Sequence, residues 1–285
     1  MNTIQYILSP KDAHEAEQKW RVVKRSVDAR QRELKVHLTV LTDEQGKPIA
    51  KDAPIPLYEP PVWQDVHEAE KSVIIIGAGP AGLFAALTLI EHGIKPIIYE
   101  RGKEVSERKK DIALLNRNEG LNPESNYCFG EGGAGTFSDG KLFSRSKKRG
   151  NMQRVMELFH FFGAPDTVLY EAHAHIGSDK LPTIIKRIRE RILAHGGEIH
   201  FETKIESLSP FIFHLSPVIL AIGHSAHDTY RMLAAEGVAM ETKGFAMGVR
   251  TEHPQELINR LFYHLQPSAF SRQLSTSSAM PRIAS

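Results

Sequence analysis

The chain has 285 residues, of which 41% are apolar and 25% are charged, and its formal net charge is +2. This composition is ordinary for a globular protein, and it excludes the disordered, collagen-like and disulfide-framework classes. The near balance of charge gives no electrostatic case for a nucleic acid or an anionic membrane as partner. The single Cys128 cannot form an internal disulfide. Because no targeting signal is readable at the N-terminus, we expect a cytoplasmic location.

Residues 1–45 predict a small α+β domain. Its predicted elements are strands at Thr3–Leu8, Trp20–Val27 and Leu34–Leu41, and a helix at Lys11–Lys19. In the last strand, alternate residues from Leu34 to Val40 are apolar and predict one buried face. The hairpin before it is basic, with Lys19, Arg21, Lys24, Arg25, Arg30, Arg32 and Lys35. A solvated face is favoured over an RNA surface, because no aromatic stacking pattern accompanies these charges.

Residues 46–70 are rich in proline and predict an extended linker. From 71 to 263, strands and helices alternate. Strands are predicted at Val73–Ile76, Lys95–Tyr99, Glu198–Glu202 and Pro217–Ile222, and helices at Ala81–His92, Met152–Phe162, Leu181–His195, Asp228–Glu236 and Gln255–Tyr263. This order predicts a Rossmann-like parallel α/β sheet. Residues 264–285 contain six serines and no acid, and they predict a disordered tail.

The strongest motif is a glycine turn that follows the strand Val73–Ile76. Gly77, Gly79 and Gly82 stand in the GxGxxG spacing, and Glu100 follows at the end of the next strand. In a dinucleotide site the first glycine makes the turn, the second admits the pyrophosphate, and the third allows helix and strand to pack closely. The helix N-terminus would attract the pyrophosphate. Glu100 would accept hydrogen bonds from the ribose hydroxyls and would repel a 2′-phosphate, which disfavours NADP.

The uncharged window from Ser72 to Ile90 is long enough to cross a membrane. Its central glycines and Pro80 would break a spanning helix, so strand, turn and helix are the better interpretation, and we expect no membrane partner.

Several longer motifs resemble a known family. The turn with Pro80 and Ala81, followed by Glu100-Arg101-Gly102, is similar to the start of glutathione-reductase-like FAD proteins. Further segments resemble the bacterial NAD(FAD)-utilizing dehydrogenases: Val23–Arg30, Asn122–Asn126, Phe129–Thr136, Ser138–Leu142, His175–Gly177, Asp179–Leu181 and Leu220–Ala226. The resemblance covers roughly residues 20–263 and implies an FAD-dependent oxidoreductase of unknown substrate, with NAD(P)H as a candidate transient electron donor.

The resemblance also implies further cofactor contacts. Gly132, Gly133, Ala134 and Gly135 belong to a glycine-rich segment that would pass close to the flavin. This segment also fits GxGxxG, but no buried strand precedes it and no helix follows, so we reject it as a second dinucleotide site.

Two other segments remain candidates for cofactor contact. Ala221 and Gly223 end a predicted strand that would return near the cofactor, and a plain strand exit remains the alternative. Arg101 and Arg108 are candidates to contact pyrophosphate oxygens. The alternative that they form exposed salt bridges is favoured.

No residue is predicted to be a catalytic acid or base, since a flavin itself carries the electrons. The pairs His173/His175 and His224/His227 lack further ligands at metal spacing, so we expect no metal site. Cys128 precedes the glycine-rich segment and is a candidate to lie near a flavin, but a lone cysteine is more often a small buried apolar residue, which is the favoured interpretation.

Three departures from the family pattern favour a truncated member. The connection 203–216 is short, no Gly-Asp pair occurs in the sequence, and the chain ends at Ser285. The alternative function is therefore a catalytically inactive fragment that binds a nucleotide or RNA, or an NAD-binding module. The oligomeric state is left open.

Overall fold

The computed structural model describes residues 2–30, 33–53, 58–138, 140–142, 150–209, 217–244 and 251–263. The predicted tail 264–285 and residues 210–216 of the short connection lie outside the described residues. Residues Met1–Ala239 form one compact unit, and Met240–Ser285 form a second. None of the described helices has the length and apolarity that a membrane crossing requires.

The elements follow the predicted order closely. The strands are β1 (Asn2–Leu8), β2 (Val22–Asp28), β3 (Lys35–Thr42), β4 (Ser72–Ile76), β5 (Lys95–Tyr99), β6 (Lys141–Leu142), β7 (Ala174–His175), β8 (Glu198–His200) and β9 (Val218–Leu220). The helices are α1 (Pro10–Lys19), α2 (Pro80–Glu91), α3 (Val105–Asn116), α4 (Met152–Phe161), α5 (Leu181–Ala194), α6 (His227–Ala235) and, in the second unit, α7 (Gln255–Tyr263), with a 3-10 turn at Asp166–Leu169. Helix α3 had no counterpart in the sequence prediction.

The N-terminal strands form an antiparallel sheet in the order β1-β3-β2. Ser9 is the N-cap of helix α1, and its hydroxyl accepts the N–H of Asp12 at 3.2 Å. The alternation predicted for β3 is confirmed for Val36, Leu38 and Val40, which are buried. It is wrong for Leu34, which precedes the strand and is 50% exposed.

A four-stranded parallel sheet in the order β8-β5-β4-β9 forms the centre of the mixed α/β structure. One face of the sheet, including Ile75 and Ile98, packs against α2 and α5. The other face, including Ile74 and Ile76, packs against Leu208 and α6. Burial on both faces explains why β4 is a continuous apolar run.

The predicted helix after the glycine turn is confirmed as α2. It ends at Glu91, and Gly93 follows at φ 69°, the left-handed conformation that favours glycine at a helix C-terminus. The strands β8 and β9 are shorter than predicted, because at their carboxyl ends the chain leaves the sheet and lines a cavity.

Candidate cofactor site

A cavity of about 430 Å³ lies at the carboxyl ends of the parallel strands. It is bounded by the turn after β4, by the residues that follow β5, and by the segment after β9. These ends meet directly, since Gly77 donates its N–H to Tyr99 at 2.8 Å and Ala221 donates to Ile76 at 2.8 Å. Ligands of open α/β sheets bind at this edge.

The three glycines of the turn differ in what surrounds them. A Cβ at Gly82 would lie 2.0 Å from the carbonyl oxygen of Gly77, and one at Gly77 would lie 2.4 Å from that of Ala221. These two glycines are therefore required by packing. At Gly79 the nearest atom would be the Cα of Gly133 at 3.8 Å, an ordinary contact. The fold itself does not require glycine there, and Gly79 faces the cavity.

Helix α2 presents its N-terminus to the cavity. Gly79 is the N-cap, Pro80 occupies the first turn, and no side chain caps the helix. Pro80 and Ala81 both line the cavity. An uncapped N-terminus offers backbone N–H groups and a partial positive charge, which together favour an anion.

Glu100 is 5% exposed and lines the cavity. Its carboxylate accepts the N–H groups of Ala78 at 2.7 Å, Gly102 at 2.9 Å and Gly130 at 3.0 Å. These donors belong to the turn, to the chain after β5 and to a distant loop. The acid predicted to bind a ribose therefore also joins three backbone segments around the cavity.

The glycine-rich loop, residues 130–136, packs against the glycine turn. Gly132 donates its N–H to Ala78 at 2.8 Å, and a Cβ at Gly133 would lie 3.0 Å from Cδ of Pro80. Gly133 and Ala134 line the cavity, while Gly132 and Gly135 line a second, smaller one. The structure thus brings this loop to the predicted site.

Arg101 lies in a cluster of two cations and two carboxylates, here called the charge cluster. Its guanidinium donates to Glu124 at 2.6 Å and in bidentate fashion to Asp228 at 3.0 and 2.8 Å, and Lys204 contacts Asp228 at 2.8 Å. The hydrogen bond from Arg101 holds the pKa of Asp228 well below its usual range. Arg101 and Lys204 line the cavity, but their charges are compensated by these acids. The salt bridges favoured by the sequence analysis are present, although Arg101 is mostly buried.

Arg108 is fully buried and does not line the described cavity. Its guanidinium donates to the carbonyl oxygens of Asn126 at 2.9 Å, Tyr127 at 3.2 Å, Gly130 at 3.2 Å and Glu131 at 2.7 Å. Burial lowers the pKa of Arg108 to about 10. Arg108 therefore holds the glycine-rich loop and the residues before it through their carbonyl oxygens, outside the cavity lining. The sequence analysis favoured an exposed salt bridge for Arg108, and that prediction is wrong.

Glu131, within the same loop, is fully buried. One carboxylate oxygen accepts the N–H of Val105 at the start of α3 at 2.7 Å. The other lies 3.4 Å from Nε of Arg189, outside hydrogen-bond geometry. Burial raises the pKa of Glu131 to about 7.

Ala221 and Gly223 both line the cavity. The carbonyl of Ala221 is the atom that excludes a side chain at Gly77. Gly223 has a φ of 74°, and its carbonyl accepts the hydroxyl of Tyr230 at 2.9 Å.

The sequence analysis missed several cavity residues, among them Tyr99, Phe129, Thr203, Lys204, Ile205, Thr229 and Tyr230. Phe129 lies under the guanidinium of Arg101, with 4.0 Å between the guanidinium carbon and the ring centroid. The position of Phe129 directly before the glycine-rich loop was the signal that could have found it.

Cys128 is exposed and lines the cavity, so the prediction that it is buried is wrong.

The histidine pairs form no cluster of potential metal ligands within the described part of the chain. His224 lines the cavity, and its ring centroid lies 6.2 Å from that of His227.

Part of the basic charge of the N-terminal hairpin is compensated by acids. Arg25 pairs with Glu17 at 2.6 Å, and Arg30 pairs with Asp28 at 2.6 Å.

A glycine turn after a parallel strand, an uncapped helix N-terminus and an acid on the neighbouring strand make the arrangement of nucleotide-binding α/β proteins. Residues 70–125 match the family model of an FAD binding domain. The chain is also 40% identical, over 261 residues, to an uncharacterized protein of Clostridium beijerinckii. That match covers 84% of this chain and 48% of the relative, so the chain spans about half the length of the curated relative it matches.

Proposed function

We propose that this chain is the FAD-binding part of a flavin-dependent oxidoreductase of the NAD(FAD)-utilizing dehydrogenase type, with its parallel sheet forming a Rossmann-type domain. The observation that carries the proposal is the open position at Gly79. A Cβ there would clash with no protein atom, yet it would narrow the cavity at the helix N-terminus. The match of residues 70–125 to an FAD binding domain supports FAD as the ligand.

The residues present fit the adenosine and pyrophosphate parts of FAD. The N-terminus of α2 would hold the pyrophosphate, and Glu100 would accept a ribose hydroxyl. A carboxylate has about four acceptor sites, and three of them are taken by the N–H groups of Ala78, Gly102 and Gly130. One site remains for a ligand.

A bound flavin supplies hydride acceptance and donation. The protein contributes binding and orientation: the glycine-rich loop closes one side of the cavity, and the segment Ala221–Gly223 closes another. We propose NAD(P)H as a transient electron donor, and the substrate is left open.

The test is cofactor extraction from the purified chain with identification by mass, followed by titration of the apo-protein with FAD, ADP and NADP. We expect FAD in the extract and tighter binding of ADP than of NADP, because the Glu100 carboxylate repels a 2′-phosphate. Oxidation of NADH by the FAD-loaded protein would then test the electron donor. An extract that contains only NAD, or an apo-protein that does not bind FAD, would contradict the proposal.

A further inference from the structure

A second cavity, of about 160 Å³, adjoins the first. Pro80, at the start of α2, lines both cavities. The glycine-rich loop also contributes to both, with Gly133 and Ala134 in the first and Gly132 and Gly135 in the second. A molecule in the second cavity would therefore lie next to a ligand of the first.

Most residues that line the second cavity are apolar or glycine, and its larger apolar side chains come mainly from three helices. Its polar lining residues are Thr136, Ser138 and Lys141. Leu83 and Phe84 belong to α2, Phe159 to α4, and Leu181 and Ile185 to α5. Phe84 and Phe159 stand edge to face, with their ring centroids 5.3 Å apart. These five side chains belong to the main core or pack against it.

Glycine at position 135 leaves space beside this cavity. A Cβ on Gly135 would meet no atom within 4 Å, and its backbone is not in the left-handed region. Neither packing nor φ therefore requires glycine there. A side chain could be accommodated, and its absence leaves the space open to a ligand.

We propose that the second cavity binds a single aromatic ring of a small molecule. Apolar walls of Leu, Ile and Phe favour an uncharged ring, and a cavity of about 150 Å³ with such walls is large enough to hold benzene. Edge-to-face contact with Phe84 and Phe159 would add a preference for an aromatic over an aliphatic group. This inference goes beyond the proposed function and does not require it.

The ring could come from two sources that share this chemistry. One is the dimethylbenzene edge of a flavin whose ADP part lies in the first cavity, and this arm rests on the proposed function. The other is the ring of a separate substrate that binds beside the cofactor. Competition between FAD and a small aromatic probe for the second cavity distinguishes the two sources.

The test uses o-xylene as the probe. Its binding to the full chain is measured by ligand-observed NMR in three states: apo, saturated with ADP, and saturated with FAD. We expect xylene to bind the apo and ADP-saturated protein. Loss of binding on addition of FAD assigns the cavity to the flavin edge, whereas retention assigns it to a separate ring. Absence of xylene binding to both the apo and the ADP-saturated protein would overturn the inference.

Two variants of α5 test whether xylene binds in the second cavity. Leu181→Phe fills the cavity from its wall, and we expect it to weaken xylene binding at least tenfold. Leu193→Phe is the matched control, since it adds the same ring to an exposed position of the same helix. Unchanged xylene binding in a folded Leu181→Phe protein would overturn the location. If that variant does not fold, xylene binding to the wild-type protein still tests the inference. If xylene binds while FAD and ADP do not, the proposed function fails and this inference stands.

Discussion

The carboxylate of Glu100 accepts the N–H of Gly130 at 3.0 Å, so the acid that follows β5 also anchors the beginning of the glycine-rich loop. The same carboxylate accepts the N–H of Ala78 in the glycine turn. Two walls of the cavity are therefore positioned by one side chain. Under the proposed function, the same side chain would also accept a ribose hydroxyl.

Glu100→Gln should weaken FAD binding by about 1–3 kcal/mol, the scale of a hydrogen bond to a charged group. The amide keeps one acceptor oxygen, but it turns an NH₂ group towards a backbone N–H, so the melting temperature of the apo-protein should fall as well. Flavin fluorescence titration and thermal unfolding measure the two effects.

Glu198→Gln is the control, because Glu198 also belongs to the parallel sheet but pairs with Lys95 away from the cavity. Equal FAD affinity in the wild type and Glu100→Gln would remove Glu100 from the ligand site. A loss of affinity without a change in melting temperature would limit its role to the ligand.

Gly79→Ala should retain the fold and bind FAD more weakly. The new Cβ meets no protein atom closer than 3.8 Å, and exchange of glycine for alanine at an N-cap costs about 1 kcal/mol. In the cavity, however, it takes space beside the helix N-terminus. We expect FAD affinity to fall by about tenfold or more, equivalent to about 1.4 kcal/mol.

Gly82→Ala is the contrast, since its Cβ would lie 2.0 Å from a backbone oxygen. It should lower the melting temperature whether or not a ligand is present. Thr88→Ala, at an exposed position of α2, should change neither property. Gly79→Ala protein that binds FAD as tightly as the wild type would argue against a pyrophosphate at this turn.

The sequence analysis predicted the glycine turn, α2 and the parallel strands because their signals are local: an apolar run, a glycine spacing and a helix stop. It missed α3 because two of the four buried residues of that helix, Arg108 and Asp111, are charged. The buried face of α3 therefore does not show the apolar periodicity that predicts a helix. It missed Lys204 and Tyr230 because these residues reach the cavity only through the packing of distant segments.

Alkylation of Cys128 should report occupancy of the first cavity. This single cysteine of the chain is exposed and lines the cavity, so a ligand there should cover it. We expect saturating ADP or FAD to slow its reaction with N-ethylmaleimide, as followed by mass spectrometry. Gly79→Ala protein provides the control, because it should show little protection at the same ADP concentration. Full reactivity of the FAD-saturated wild type would mean that the ligand lies elsewhere.

Arg108→Lys should destabilise the protein by about 2 kcal/mol or more. The buried guanidinium serves carbonyl oxygens of four residues, and an ammonium has only three donors on a flexible stem. Urea unfolding measures the effect, and Arg117→Lys on the exposed end of α3 is the matched control. Equal unfolding free energies of the two variants would show that the loop does not depend on Arg108.

The buried carboxyl of Glu131 should make stability depend on pH. Burial raises its pKa from 4.5 to about 7, despite the nearby Arg189, so the folded state favours the neutral form. Between pH 4.5 and about 7 the unfolded chain releases this proton while the folded protein retains it. Stability from this group is therefore full below pH 4.5 and is lost as pH rises to about 7, by a total of about 3 kcal/mol.

Glu131→Gln removes the titration. The difference in unfolding free energy, wild type minus variant, should become less favourable to the wild type from pH 5 to pH 8. Urea unfolding at both values measures it, and Glu119→Gln is the control because that side chain is exposed. A difference that stays constant between pH 5 and pH 8 would mean that Glu131 is already ionised in the folded protein. In that case Arg189 would have to compensate for its burial across the 3.4 Å gap that separates the two groups.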